Sequence, residues 1–270
     1  MPSTRLNGHE IHFAEAGGGP PVVMVHGTLQ DQRYWAPQMA PLAEAGFRPL
    51  ALSLRHFWPE QWDGVGDDFT IAQHMEDTAA FIRGLNAGPV RLIGHSRGGH
   101  IAFRLAAAYP ELLHQLVLAE PGGELDETLG GEAPSGKQAG VFAQAAEMIR
   151  AGQVEEGLSF FADYTGGTGA WGRRPEARRQ VARDNARTLL GQINENRKPY
   201  GLAAARQVVT PTLLVGGANT QPQFNVILAA MEQHLPNCAG RVTIPRATHS
   251  MSLENPADFN AAVLGFFAKG

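Results

Sequence analysis

Pro89-Val90-Arg91-Leu92-Ile93-Gly94-His95-Ser96-Arg97-Gly98-Gly99-His100-Ile101-Ala102-Phe103-Arg104-Leu105-Ala106-Ala107-Ala108-Tyr109 is the stretch that decides the fold. It opens as a short apolar strand and closes as a helix. Between them Gly94-His95-Ser96-Arg97-Gly98 forms a G-x-S-x-G pentapeptide. A serine on so sharp a strand-to-helix turn is pushed out of the sheet, with the helix N-terminus facing any anion formed there. The flanking glycines permit the tight backbone approach. The alternative, a glycine-rich structural turn, explains the glycines but not the strand and helix on either side.

Working outward, strand and helix alternate. His9 to Glu15 reads as a strand, and Val22-Val23-Met24-Val25 as one buried on both faces. Trp35 to Ala45 is predicted helical, Phe47 to Leu54 a strand, and Ile71 to Leu85 a helix with apolar periodicity. Leu116-Val117-Leu118-Ala119 is a further strand. Repeated β-α pairs imply a mostly parallel sheet covered by helices, an α/β fold. From residue 122 the pattern breaks. Residues 122–208 hold no clear apolar strand; helices are expected at Gly140–Gly152, Val154–Tyr164 and Arg174–Asn196. The pattern resumes with a strand at Thr212–Val215, a helix at Gln223–His234, a strand at Arg241–Ile244 and a helix at Asn255–Ala268. We therefore expect a core of residues 1–121 and 209–270, interrupted by a helical cap of residues 122–208.

Bulk properties narrow the partners. The chain has 270 residues, a net charge of −4, one cysteine (Cys238) and ten scattered histidines. This favours neither nucleic acid nor an anionic membrane. A lone cysteine permits no internal disulfide and suits a reducing compartment, so a cytoplasmic location is expected. The start, Met1-Pro2-Ser3-Thr4-Arg5-Leu6, lacks a signal-peptide run, and no stretch is apolar enough to span a bilayer. No metal-ligand spacing is visible, so neither metal nor cofactor is expected. The expected partner is a small-molecule acyl substrate; oligomeric state is not readable.

Three motifs in order resemble the α/β-hydrolase superfamily: His26-Gly27 after an early strand, the pentapeptide around Ser96, and His249 within Arg246-Ala247-Thr248-His249-Ser250-Met251. The resemblance implies a nucleophile at Ser96 and a proton-accepting base at His249. A serine hydroxyl needs such a base at neutral pH, and histidine titrates in the right range. It also implies an oxyanion hole from the backbone N–H groups of Arg97 and Thr28, with Leu29 as the alternative to Thr28. His26 is expected to brace that loop, His95 to pack under the turn, and His100 to be structural.

The usual position of the acid departs from the pattern. The loop Gly216-Gly217-Ala218-Asn219-Thr220-Gln221-Pro222 holds no Asp or Glu, and Asn219 stands where an aspartate is expected. Some superfamily members carry the acid one strand earlier, and there Glu120 follows Ala119 directly. Glu120 is the expected acid, ahead of Glu124 and Asp126; a salt bridge anchoring the cap entry is its structural alternative. Leu29, Trp35, His56 and Trp58 are candidate pocket residues, with aromatic packing of the loop onto the core the competing account for His56, Phe57 and Trp58. The run Arg173, Arg174, Arg178, Arg179, Arg183, Arg187 reads first as a solvated face and second as a guide for an acidic substrate. The expected activity is a cofactor-free serine hydrolase acting on an ester or lactone. Thioester, amide and carbon–carbon cleavage, a perhydrolase, a cofactor-free oxygenase and a ligand-binding protein are the alternatives. Haloalkane dehalogenases and epoxide hydrolases carry a carboxylate at the turn, and Ser96 argues against both.

Overall fold

Val22–Val25 lies in strand β3 (Pro21–Val25) of the computed structural model, and every residue of that strand is buried. The structure describes residues 1–131, 137–195 and 197–269. The other strands are β1 (Ser3–Leu6), β2 (His9–Glu15), β4 (Arg48–Ser53), β5 (Val90–His95), β6 (Leu113–Ala119), β7 (Thr212–Gly217) and β8 (Cys238–Ile244). They form one eight-stranded sheet in the order β1-β2-β4-β3-β5-β6-β7-β8. β2 pairs antiparallel with both β1 and β4, and the pairings from β4 through β8 are parallel.

The helices are α1 (Ala36–Glu44), α2 (Ile71–Gly84), α3 (Arg97–Ala108), α4 (Lys137–Arg150), α5 (Val154–Gly166), α6 (Ala170–Arg173), α7 (Glu176–Asp184), α8 (Thr188–Gln192), α9 (Leu202–Gln207), α10 (Pro222–His234), α11 (Met251–Glu254) and α12 (Pro256–Phe267). The alternation of β3 explains the two layers of cover. Val23 and Val25 face one apolar cluster with Ile82 of α2, Phe103 of α3 and Leu228 of α10. Val22 and Met24 face the other, with Leu42 of α1 and Phe259 and Val263 of α12. Each fully buried side chain of this size contributes about 1.5–3 kcal/mol.

A third apolar cluster gathers Phe142, Ala145, Leu158, Phe161, Trp171, Ala182 and Leu189 of α4–α8, and Leu29 joins it from the loop after β3. These helices lie between β6 and β7 in the chain, in the span expected as the cap. The helix expected over Arg174–Asn196 is instead broken into α7 and α8, and Asn196 itself lies outside the described residues. The cause is Asn185, which has φ −108°, ψ 9°. Its amide donates to Asp31 Oδ2 at 2.7 Å, and its Oδ1 accepts the Trp58 N–H at 2.8 Å. Such side-chain bonds compete with helix continuation. β1, α6, α9 and α11 were not expected; each is six residues or shorter, too brief for periodicity to register.

Candidate active site

β5 ends at His95 and α3 begins at Arg97, leaving Ser96 between them at φ 53°, ψ −118°. That conformation is costly for a side-chain-bearing residue and persists because its surroundings impose it. The Ser96 N–H donates to Ala119 O at 3.0 Å, while its C=O accepts the His100 N–H at 3.0 Å and the Gly122 N–H at 2.9 Å. The turn can close only because residue 98 is glycine: a Cβ there would fall 2.2 Å from Val25 O and 2.4 Å from His26 O. Arg97 is the first residue of α3, so its N–H has no acceptor one turn earlier.

The loop after β3 packs against the same serine; a Cβ on Gly27 would lie 2.9 Å from Ser96 Cβ. Among the described residues the N–H groups of Thr28 and Leu29 have no acceptor, and Leu29 sits at φ 59°. Thr28 Oγ1 donates to Gln192 Oε1 at 2.8 Å, and the Gly27 N–H donates to Gln30 Oε1 at 2.9 Å. His26 Nδ1 bonds Gly27 O at 2.8 Å, and its Nε2 accepts the Leu54 N–H at 3.1 Å, tying this loop to the end of β4. Burial holds His26 down to about 4 despite the bond to Gly27.

Glu120 follows β6 directly at φ 41° and is fully buried. Its Oε2 lies 2.6 Å from His249 Nδ1 and accepts Thr220 Oγ1 at 2.7 Å; its Oε1 accepts the Gly217 N–H at 2.7 Å. The structure therefore brings Glu120 and His249 together. Asn219 is exposed, and its recorded bond is a backbone one, N–H to Ala247 O at 2.8 Å. Asp126 instead caps a turn by accepting the Thr128 N–H. Among the described residues His249 Nε2 is buried without a partner. The imidazole is held flat against Phe224 at 3.9 Å between ring centroids, and its carbonyl accepts from His95 Nε2 at 2.8 Å. His95 stacks on Tyr34, and burial, then the nearby His249, hold it well below the usual histidine range. His100 Nδ1 bonds Gly122 O at 3.1 Å and is likewise held down, chiefly by burial.

A cavity of about 560 Å³ reaches His249 and is walled by Leu29, Tyr34, Arg174, Arg178 and Val181. Of the four expected pocket residues it includes Leu29 and not the others. Trp35 is fully buried in the core beside Phe259, because it closes a short helical turn under α12 rather than facing outward. His56 is stacked on Trp62 at 4.6 Å and bonded to Glu60 and Asp68, which turns it away from the cavity. Trp58 lies under the Arg33 guanidinium, 3.9 Å from its ring centroid. The arginine run is divided: Arg173, Arg174 and Arg178 line the cavity, whereas Arg179 and Arg183 pair with Glu176.

Sequence spacing could not show that His9, on β2, meets His56 and Glu60; their ligand-type atoms lie within 4.8 Å of one another. His9 Nε2 and His56 Nδ1 each hydrogen-bond a Glu60 oxygen at 2.9 Å, so the cluster is satisfied as it stands. Burial opposes protonation of His56, but Glu60 and Asp68 together outweigh it and raise its pKa. Also unread in the sequence were Phe224, Gln30, Glu195 and Arg197. Phe224, Glu195 and Arg197 come from distant segments with no local motif, and Gln30, though in the loop after β3, carries no sequence signal of its bond to the Gly27 N–H.

A sequence profile described as the alpha/beta hydrolase family matches residues 22–262. The chain is 27% identical to the putative non-heme bromoperoxidase BpoC of Mycobacterium tuberculosis, over 96% of this chain and 97% of that protein. It is 31% identical to bifunctional epoxide hydrolase 2 of Sus scrofa over 104 residues, spanning only 19% of that relative's length. Among solved structures, the enol-lactonase of Burkholderia xenovorans LB400 superposes with TM-score 0.80 at 18% identity, covering 99% of this chain and 100% of that one. The thermophilic esterase of Thermogutta terrifontis does so with TM-score 0.77 at 24% identity, covering 99% and 96%. At such identities these two likenesses concern the fold. No helix among the described residues is long and apolar enough to cross a membrane.

Proposed function

The chain belongs to the alpha/beta hydrolase family, and on that premise we propose that it is a cofactor-free serine hydrolase opening a carboxylic ester or lactone through an acyl-enzyme on Ser96. The observation that carries this is the pair Glu120–His249: a buried carboxylate 2.6 Å from Nδ1 leaves Nε2 unpartnered and free to accept a proton. Ser96 Oγ attacks the acyl carbon while His249 Nε2 takes its proton. Glu120 holds the Nδ1–H tautomer and stabilises the imidazolium that forms. The N–H groups of Arg97 and Thr28 receive the oxyanion, each such donor being worth about 10²–10³ in rate. Collapse expels the alkoxide, which leaves as the alcohol with the proton from His249. Water, deprotonated by the same imidazole, then releases the acid.

Residues 122–208 act as a cap, and the cavity between α7 and His249 offers room for the part of the substrate that lies beside the imidazole. The test is labelling by a fluorophosphonate, followed by a panel of esters, lactones and thioesters with Ser96→Ala as control. Labelling at Ser96 with turnover lost in the variant supports the reading; an unlabelled Ser96 refutes it. The bromoperoxidase relative, matched over nearly its whole length, favours a second reading in which hydrogen peroxide replaces water and releases a peracid. Peroxide-dependent turnover exceeding ester hydrolysis would select it.

A further inference from the structure

Behind Ser96 lies a charge cluster that the chemistry above does not use. Glu195 is buried between two arginines. Its Oε2 accepts Arg97 Nε at 2.9 Å and Nη2 at 2.7 Å, and its Oε1 accepts Arg197 Nε at 3.0 Å and also Arg197 Nη2. Arg97 is fully buried; its Nη2 also donates to His74 Nδ1 at 2.7 Å. His74 must then be neutral, with its Nε2–H directed at Arg55 O 3.2 Å away, and burial followed by the Arg97 charge keeps it so. Two guanidinium groups thus share one carboxylate, leaving an excess positive charge in a buried place. An uncompensated buried charge is expensive, so this arrangement calls for an anion.

Two free edges show where the anion belongs. Arg97 Nη1 is buried with no partner among the described residues. Arg197 uses Nε and Nη2 on Glu195, its guanidinium sits 5.5 Å from the Phe142 ring centroid, and among the described residues no bond engages Nη1. A point one bond out from Gly122 Cα lies 3.4 Å from Arg197 Nη1 and 3.5 Å from Ser96 Oγ. A Cβ at residue 122 would stand in that space, in ordinary contact with both atoms. One small molecule can therefore touch the nucleophile and Arg197 together.

We propose that the substrate's acyl group carries a carboxylate, seated on Arg197 Nη1, so that the enzyme prefers half-esters of short dicarboxylic acids. This rests on the serine-hydrolase reading and deepens it. Arg197 is a specificity residue: it holds the acyl chain by its far end while Ser96 attacks the near one, and Glu195 fixes its fork in place. The proximity of the two atoms limits the spacer to a malonyl- or succinyl-sized group.

The test compares mono-4-nitrophenyl succinate with 4-nitrophenyl butyrate, which matches its length without its charge. Wild type should favour the succinate in kcat/KM by about 10–100-fold, the range for a hydrogen bond to a charged group. Arg197→Met should bring that ratio near one, and Arg197→Lys should restore part of it. An unchanged ratio in Arg197→Met, or a wild type without preference, overturns the proposal. Calorimetry of succinate with Ser96→Ala protein tests the same site without turnover. Binding that disappears in the Ser96→Ala/Arg197→Met double variant supports the subsite, and absence of binding in Ser96→Ala counts against it. Failure of the hydrolase reading is separate, since it appears as an unlabelled Ser96 whatever succinate does.

Discussion

At the residue scale, Glu120 holds three partners with two oxygens: the Gly217 N–H, the Thr220 hydroxyl and His249 Nδ1. Glu120→Gln keeps the shape and one acceptor oxygen. If that oxygen stays on the Gly217 N–H, the new NH₂ faces His249 and forces Nδ1 to be the acceptor. The ring proton then sits on Nε2, where it cannot receive the serine proton. We expect kcat to fall by about 10⁴ with the unfolding midpoint nearly unchanged, measured by steady-state hydrolysis and urea titration. Turnover near wild type would remove Glu120 from the chemistry. Asn219→Ala, by contrast, should change kcat less than threefold, since that side chain is exposed and apart from His249. The positions of Ser96 and Glu120, one residue beyond β5 and β6, and of His249 in the loop between β8 and α11, could be read from the apolar runs that mark those strands. Those of Phe224 and Arg197 could not: a ring under an imidazole, and a guanidinium brought to the same glycine as the serine hydroxyl, are products of tertiary packing, and neither leaves a pattern along the chain.

At the element scale, the β5–α3 junction depends on how closely α3 approaches β3. Gly98→Ala would press a methyl into two carbonyl oxygens, and backbone atoms there cannot swing aside as a side-chain tip would. We expect a loss of about 1–3 kcal/mol, together with slower labelling of Ser96 by a fluorophosphonate as the turn shifts. Gly265→Ala in α12 is the matched control: nothing lies within 4 Å of its Cβ position, and the helix should gain about 0.5–1 kcal/mol. Parallel strands with continuous apolar runs were readable in the sequence to within a few residues. The helices of residues 122–208 were readable only where long, as with α4 and α5. The α7–α8 break escaped because Asn185 answers to Asp31 and Trp58, residues remote in sequence.

At the scale of the whole molecule, the pH dependence of stability follows from how many histidines are folded into the interior. His26, His74, His95 and His100 are all buried, and burial is the foremost reason each is held below its ordinary value, His26 to about 4. The unfolded chain binds these protons below about pH 6.5 while the folded one refuses them, so stability falls as pH drops through that window. Each such group steepens the fall by about 1.4 kcal/mol per pH unit until its folded pKa is reached. His56 works the opposite way: its raised pKa means its ion pairs with Glu60 and Asp68 contribute fully below about pH 6.5, and that contribution fades as pH rises from there through the raised folded value. The two effects place the stability maximum near neutrality, with the steeper limb on the acid side, where four groups act in concert. Urea midpoints at pH 7.5, 6.5, 5.5 and 5.0 should therefore stay level over the first step and drop sharply over the next two. His56→Gln should flatten the shallow alkaline limb while leaving the acid limb intact. Midpoints that hold constant from pH 6.5 to 5.0 would mean that the buried histidines take up protons in the folded state, contrary to the desolvation that surrounds them.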